Sequence, residues 1–519
     1  MTVFGRLQPG ARTTKSSALS MVALVGALVL GGALVGLIVV DMPKKAVAAA
    51  AIFSTGVVAL SLPTLFPWIF IRALGLILLG YICGGRAFAH LGVPPIFIGE
   101  LTLALGLLAA LTTPQRWTAL RSPIGKLYLL FAAWCAVRAA YAFPIYGLDT
   151  LRDSVIWGYG VFALLVPAFL VRPDWVPRFL QRYARLFPIV LAWLPVGLVL
   201  SYAFPNLLPV ASDFGDSTME FVKPGDGGIH LAGAAAFLLL GLHRAPGVRA
   251  RAGLLGNEWV MGAICIAGFF CVTVLGRGGA MAIVAALGAV LVIRPLVALP
   301  KLTLVGGGAV VAALVLLASN FTIEMGRRDL SAEQLTSNLL SVVGDDVDQG
   351  QVNLEQTKNW RLRWWTKIVD YTVHGPYFWT GKGFGVNLAI DDGIRKETFN
   401  RHPHSAHMSI LARAGVPGLT LWILLQTAFG TSLLAAFLRA TRMGEEWWAR
   451  LDLWVLAYWL AFITAASFGV YLEGPHGGIP FWCVMGLGIS VLLTQEQALR
   501  APAPQPSRSG HAAQAAARS

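Results

Sequence analysis

Three histidines lie within six positions of the stretch "RHPHSAHMSILARAG", which leads into a long apolar run. One of them could act as a general base, because an unperturbed imidazole has a pKa near ~6.5. The stretch could instead be a polar helix start capped by Ser405. A metal site is disfavoured, because the spacing fits none of the common zinc patterns and Asp391 and Asp392 are ten or more residues upstream. The three histidines are His402, His404 and His407.

A single arginine, Arg277, lies in "TVLGRGGAMAIV", with apolar runs on both sides and almost no linker. The distribution of basic connectors places this turn on the outer face of a membrane, where arginine is least expected. An ionisable residue at membrane depth is by default a functional hypothesis, and the flanking glycines allow close approach of a ligand or helix. Alternatively, the side chain extends to the outer headgroups. Composition alone favours neither interpretation.

A second basic stretch, "NWRLRWW", contains Arg361 and Arg363. Guanidinium groups bind phosphate through forked hydrogen bonds. Mixtures of tryptophan and arginine are also common on helices that lie at a membrane surface. Taken by itself, the stretch favours the interfacial helix.

The composition predicts a membrane protein. Of the 519 residues, 56% are hydrophobic and 13% are charged, which is about half the ~25% of a soluble domain. The formal net charge of +14 falls mostly in short connectors, where positive charge is expected on the cytoplasmic side. We therefore expect membrane lipids, and not nucleic acid, as partners. The five cysteines lie in apolar runs and form no CxxC pair, so no disulfide framework is predicted.

At ~20 residues per crossing, the apolar runs predict an all-α polytopic membrane protein with about 12–14 transmembrane helices. About fourteen candidate spans lie near residues 17–40, 46–62, 66–84, 95–112, 124–143, 154–172, 184–204, 229–243, 258–275, 278–294, 302–319, 416–438, 451–471 and 479–494.

The chain is expected to divide into four parts, and the basic connectors place both termini in the cytoplasm. The external loop of about 85 residues is long enough to be functional, and its aromatic residues recur near helical spacing. We expect it to be a small, mainly helical periplasmic domain. Within the spans, Glu100 and Arg138 are predicted to pair, since buried charges need partners. The four parts are a bundle of about eleven spans at 1–319, the loop domain at 320–404, C-terminal helices at 405–497 and a disordered tail at 498–519.

Four segments together resemble the O-antigen ligase and O-antigen polymerase superfamily of GT-C-like membrane glycosyltransferases. "LGRGGA" resembles the family's Ser-Arg-Gly-Ala turn, with Arg277 as its arginine. "RLRWWTKIVDYTVHGPYFWTGKGFG" resembles its R-x3-W, Pro and G-x-G-x-G segment, beginning with Arg361 and Trp365. "HSAHMSILARAGVPGL" resembles the segment that returns to the membrane, with His404 as the family histidine. "GDGGIHLAG" resembles an earlier helix start, with His230 where asparagine is common.

The resemblance implies a function and a site. Such enzymes transfer a glycan from undecaprenyl diphosphate, on the outer leaflet, to a hydroxyl of a glycan or lipid-linked acceptor, with inversion and without metal or other cofactor. Arg277 and Arg361 would stabilise the leaving diphosphate, and His404 would take the proton. Asparagine and tyrosine of the family pattern are replaced by Ser405 and His407, so the other two histidines remain alternatives for the base. The candidate substrate-binding residues are Arg363, His407, His402, Trp365 and His230.

Other functions remain open. A transporter of a small anion such as bicarbonate also suits many spans, although transporters usually contain internal repeats and none is evident. A non-catalytic assembly partner is a third possibility. Among enzymes, the sequence does not separate a ligase acting on lipopolysaccharide from a polymerase of a surface polysaccharide or exopolysaccharide, although the long loop and the span count favour the polymerase.

Overall fold

A computed structural model gives the fold. It describes residues 43–296, the strand pairs at 322–323 and 330–331, and residues 352–394 and 401–500. Short gaps within the first range fall at 94–95, 173, 206–207, 209, 212–216, 219, 246–247 and 249–252. The predicted spans at 17–40 and 302–319, and the predicted tail beyond Arg500, lie outside the described residues.

Helices make up nearly all of the described chain. Short antiparallel ladders join β1 (Gly92–Val93) to β2 (Ile96–Phe97), β3 (Val210–Ala211) to β4 (Ser217–Thr218) and β5 (Thr322–Ile323) to β6 (Leu330–Ser331). The α-helices are α1 (Pro43–Ala89), α2 (Ile98–Leu111), α3 (Pro123–Tyr146), α4 (Leu148–Gly158), α5 (Val161–Leu170), α6 (Trp175–Ala203), α7 (Pro224–Leu239), α8 (Glu258–Leu275), α9 (Arg277–Ile293), α10 (Val352–Thr372), α11 (Leu388–Asp391), α12 (Ala406–Arg442), α13 (Glu446–Phe468) and α14 (Pro475–Arg500).

Within the described residues, seven helices are long and apolar enough to cross a membrane: α1 over Leu65–Ala89, and α3, α6, α8, α12, α13 and α14. Helices α4 and α5 would make an eighth span, bent by 46°. Helices α2 and α9 are apolar but shorter. This arrangement confirms the predicted all-α polytopic membrane protein.

The centre of the bundle is formed by α14 and α13, whose most apolar windows are 94% and 72% buried by protein. Their tryptophans Trp448, Trp454 and Trp482 are fully buried. Outer helices instead expose large apolar side chains, such as Leu76 on α1 and Val292 on α9. Helices that are apolar on all sides, yet only partly covered by protein, are typical of membrane spans.

Three predicted boundaries were wrong. The break expected between the spans 46–62 and 66–84 is absent, because α1 is continuous there and leaves helical geometry only at Gly85. The single span expected at 154–172 is the bent pair α4 and α5. The span expected from residue 416 begins earlier, because α12 extends across a kink at Gly415.

The predicted pair of Glu100 and Arg138 is also wrong. Glu100 accepts hydrogen bonds from the Tyr159 hydroxyl and from the backbone N–H of Phe97. Arg138 donates through Nε to the carbonyl of Thr380, at 2.9 Å. Each charged group therefore has a different polar partner. Arg138 ties α3 to residues 352–394 and 401–404, which precede α12 and are called the external segment after the position predicted for them.

The basic connectors gather at one end of the bundle. Arg294, just after α9, pairs with Glu446 at 3.3 Å, and Arg450 donates to the carbonyl of Leu240 at 3.5 Å. The connectors that follow α7, α9 and α12 therefore share this end. Because α9 ends here, Arg277 at its start lies at the opposite end.

The external segment packs against the kink in α12. Gly415 has a φ of 71°, in the left-handed region that favours glycine, and a Cβ there would lie 2.5 Å from the carbonyl oxygen of Phe378. The same carbonyl accepts from the backbone N–H of Val416 at 2.8 Å. A small apolar core includes Trp364 of α10 and Leu411 of α12. The external segment thus shares its core with a membrane helix.

A buried carboxylate also joins the external segment to the bundle. Asp153, on α4, is buried, and its Oδ2 accepts from the backbone N–H of Gly385 at 2.9 Å. The same oxygen pairs with the guanidinium groups of Arg401 at 3.3 Å and Arg413 at 2.7 Å. Arg413 also donates to the carbonyl of Val386 at 3.1 Å. One side chain therefore holds a membrane helix, the glycine-rich turn and the start of α12 together.

We expect Asp153→Asn to destabilise the protein by about 3–5 kcal/mol, because the buried guanidinium group of Arg413 loses its paired carboxylate and Arg401 keeps only Asp149. Thermal unfolding of the purified protein in detergent measures the change. The matched control is Asp149→Asn, one helical turn earlier, whose half-exposed side chain pairs with Arg401 at 3.3 Å. We expect it to cost less than ~1 kcal/mol. Equal losses in the two variants would contradict the role given to Asp153.

Candidate active site

Two arginines from distant parts of the sequence come together at the end of the bundle opposite Arg294 and Arg450. Arg277 is the first residue of α9, directly after the one-residue turn at Gly276, and its side chain is half-buried. Burial lowers the pKa of Arg361 on α10, and the nearby positive charge of Arg277 lowers that pKa further. Because like charges repel, an anion bound between the two guanidinium groups would stabilise both of them.

The hydrogen bonds of Arg361 are incomplete. Its Nη1 donates to the carbonyl of Phe468, at 3.1 Å, and the ring of Trp360 lies 5.8 Å away. Its Nε is buried and has no hydrogen-bond partner among the described residues. Among the same residues, Arg361 forms no ion pair with a carboxylate. A buried donor without an acceptor costs ~1–3 kcal/mol. This environment favours a bound acceptor group.

His404 contacts Trp360, the residue that precedes Arg361. Its ring meets that of Trp360 edge-to-face, with 5.3 Å between the ring centroids, and Trp360 directly precedes Arg361 in α10. His404 is half-buried. Its φ of 55° is the only positive φ at a non-glycine residue in the described part of the chain. Backbone strain of this kind, typically ~1–3 kcal/mol, is concentrated at functional sites.

His407 has both ring nitrogens engaged. Its Nδ1 accepts from the indole N–H of Trp422 at 3.0 Å, so the ring hydrogen must lie on Nε2. That nitrogen is 3.0 Å from the hydroxyl oxygen of Ser467 and donates to it. This arrangement leaves no basic nitrogen for a substrate and indicates a structural role.

His402 is a poor proton acceptor. Its Nδ1 is buried without a hydrogen-bond partner among the described residues. Burial lowers the pKa of His402 to about 3, and the charge of Arg413 contributes in the same direction. The imidazole is therefore uncharged at neutral pH and resists protonation.

The family comparison covers these residues. The family model described as O-antigen ligase matches residues 262–423, which include both arginines and all three histidines. Residues 262–423, the matched region, are thus similar to the O-antigen ligase family. Together with the apolar helices, the match supports an O-antigen ligase-type membrane enzyme. No curated protein matches the chain.

Two other candidates in the matched region lie on α10. Arg363 is exposed, and its Nε donates only weakly to the carbonyl of Asn359, at 3.4 Å. Trp365 donates from its indole nitrogen to the carbonyl of Pro403, at 2.7 Å. Because Pro403 directly precedes His404, Trp365 supports the backbone of the candidate base.

His230 lies outside the matched region, on α7. It is buried, and its Nδ1 shares a 2.7 Å hydrogen bond with the hydroxyl of Tyr458 on α13. No described contact joins it to the two arginines or to His404. Its hydrogen bond indicates packing of α7 against α13.

Sequence reasoning missed two acidic residues, Asp153 and Glu473. Asp153 falls just before a predicted span and has no local pattern around it. Glu473 follows α13, and its Oε1 accepts from the hydroxyl of Ser409 at 2.8 Å. Burial raises the pKa of Glu473 to about 7. The available signal was a lone acid in "VYLEGPHGG", between two apolar runs.

The carboxylates Asp391 and Asp392 have a structural role. Lys382 lies 2.6 Å from Asp391 and 2.5 Å from Asp392, and the indole of Trp364 donates to Asp392 at 2.6 Å. Over the described ranges, no group of three or more His, Cys, Asp or Glu side chains could hold a metal ion.

The hydrogen bonds of His407 generate a stability prediction. His407→Asn retains an acceptor that can meet the indole N–H of Trp422, so we expect a small change. His407→Leu, of similar size, leaves that buried donor unpaired and should cost about 1–3 kcal/mol more. Thermal unfolding in detergent compares the two variants. If His407→Asn is no more stable than His407→Leu, the hydrogen bond to Trp422 does not explain the stabilising effect of His407.

Proposed function

We propose that this chain transfers a glycan from undecaprenyl diphosphate, on the outer leaflet of the bacterial inner membrane, to the hydroxyl of a glycan or lipid-linked acceptor. The family match at residues 262–423 supports the reaction class. The observation that carries the proposal is the approach of Arg277 and Arg361, two cations from separate helices. The family match favours this enzyme over a small-anion transporter.

The arginines suit the leaving group. When the bond between the sugar and the diphosphate breaks, negative charge grows on the diphosphate oxygens. Guanidinium groups fixed in advance stabilise that charge without reorganisation, and each such donor can contribute ~3 kcal/mol. The unpaired Nε of Arg361 adds a donor that an oxygen of this group could satisfy.

His404 is the proposed base. The acceptor oxygen attacks the anomeric carbon from the face opposite the diphosphate, the bond from that carbon to the diphosphate oxygen breaks, and the hydroxyl proton passes to His404. The configuration at the anomeric carbon inverts. The engaged nitrogens of His407 and the lowered pKa of His402 favour His404 among the three histidines.

The orientation follows from the connectors. Basic residues are retained in the cytoplasm, so the end that holds Arg294 and Arg450 faces the cytoplasm, and both termini are expected there. The arginine pair and His404 then face the periplasm, where the lipid carrier presents its glycan.

We expect His404→Ala to lose transfer by at least ~10²-fold, the typical contribution of a positioned base. The experiment compares surface glycans on a gel from the host, a deletion strain, and the deletion strain carrying wild type or the variant. If the deletion strain carries single repeat units attached to the acceptor, the enzyme is a polymerase. If polymer stays on the lipid carrier, the enzyme is a ligase.

The matched control for this experiment is His374→Ala, which changes an exposed histidine of the same external segment. It should restore glycans as wild type does. Full complementation by His404→Ala would exclude His404 as the base. A deletion strain with unchanged surface glycans would contradict the proposed function.

Replacement of the arginines by lysine is a separate test. Arg277→Lys and Arg361→Lys keep the charge but lose the forked donor geometry, so we expect each to lower turnover by about 10²-fold. Purified enzyme and lipid-linked donor give the rates. Arg442→Lys, at an exposed position near the other end of α12, is the control. Wild-type turnover in Arg277→Lys would support the alternative interpretation, in which the Arg277 side chain only extends to the lipid headgroups.

A further inference from the structure

The turn between α13 and α14, residues 469–474, borders the candidate active site. Just before it, the carbonyl of Phe468 accepts from Arg361 at 3.1 Å. The neighbouring Ser467 hydroxyl accepts from His407 at 3.0 Å. The turn is therefore fixed next to the residues proposed to hold the donor diphosphate.

Three polar atoms at residues 471–476, in this turn and in the first turn of α14, are buried and have no hydrogen-bond partner in the described part of the chain. They are the hydroxyl oxygen of Tyr471, Oε2 of Glu473 and Nδ1 of His476. Tyr471 is 4% exposed and His476 is 6% exposed. Native proteins contain only a few such atoms per hundred residues, and each requires an explanation.

The neighbours of these side chains define what the free atoms can bind. Nε2 of His476 lies 3.6 Å from the Asp226 carboxylate, which favours the ring hydrogen on that nitrogen and leaves Nδ1 as an acceptor. Oε1 of Glu473 already accepts from Ser409, so its other oxygen is available. The Tyr471 hydroxyl can donate and accept.

A ligand rich in hydroxyl groups fits this set best. A hydroxyl can donate to the imidazole nitrogen and can both donate to and accept from tyrosine. Because burial raises the pKa of Glu473 to about 7, both of its protonation states occur near neutral pH, and a hydroxyl pairs with either. An ionised phosphate offers only acceptors, so it suits the arginine pair and not this turn.

We propose that Tyr471, Glu473 and His476 bind hydroxyl groups of the acceptor saccharide. The assignment rests on the proposed function and extends it: the arginines hold the diphosphate of the donor, and the turn between α13 and α14 holds the sugar that is to be extended or modified. Donor and acceptor would then be bound by different helices, on either side of the contact between Arg361 and Phe468.

The test measures two probes separately by calorimetry, with the full chain in detergent. Sodium pyrophosphate reports on the arginine pair, and delipidated surface oligosaccharide from the host reports on the turn. Tyr471→Phe removes one hydroxyl group, and Glu473→Gln removes the carboxylate. We expect each variant to bind the oligosaccharide about three- to tenfold more weakly, as for a lost hydrogen bond, with pyrophosphate affinity unchanged. Arg361→Lys should show the reverse pattern.

Tyr141→Phe, at an exposed tyrosine of α3, is the matched control and should change neither affinity. If both turn variants bind the oligosaccharide as wild type does, water alone satisfies these atoms and the proposal is overturned. The proposal is also overturned if the wild-type protein binds pyrophosphate but no oligosaccharide. If pyrophosphate does not bind, or Arg361→Lys binds it normally, the proposed function fails instead. Unchanged pyrophosphate binding also shows that a turn variant is folded.

Discussion

The placement of the external segment depends on the carboxylate of Asp153. Two guanidinium groups and a backbone N–H converge on one of its oxygens, inside the protein. Arg401 directly precedes His402, and Arg413 lies in the first part of α12, so the segment that carries His404 is held on both sides. Well-packed apolar residues often serve at least as well as a buried ion pair for stability. We therefore infer that the network serves to fix one geometry.

The same constraint explains how three neighbouring histidines acquire different properties. His402 lies close to the buried arginines, and its pKa falls to about 3. His407 is fixed by hydrogen bonds to Trp422 and Ser467. His404, between them, packs its ring against that of Trp360. Identical side chains within six positions differ because each meets a different element of the fold.

Hydropathy predicted most of the helices, because a membrane span must be apolar along its whole length. It could not predict the bend between α4 and α5 or the continuity of α1, since both depend on a few local backbone angles. The pairing of Glu100 with Arg138 was wrong for a related reason: charge alone does not specify which polar group lies nearby, and Tyr159 and Thr380 were the partners.

The site was predictable only where it matched a known pattern. Arg277, Arg361 and His404 could be named from short motifs that resemble a family, and their roles stay proposals. Asp153 and Glu473 belong to no such motif, and their partners are far away in the sequence. A lone acid beside an apolar run has the same local appearance whether it faces solvent or closes a buried network.

The left-handed backbone at His404 has an evolutionary consequence. Glycine or asparagine adopts this conformation more easily than histidine does, so either residue would relieve strain at position 404. Selection for stability alone would therefore favour replacement of histidine at this position. Its retention in a lineage, while neighbouring positions vary, would record selection for the reaction and not for the fold.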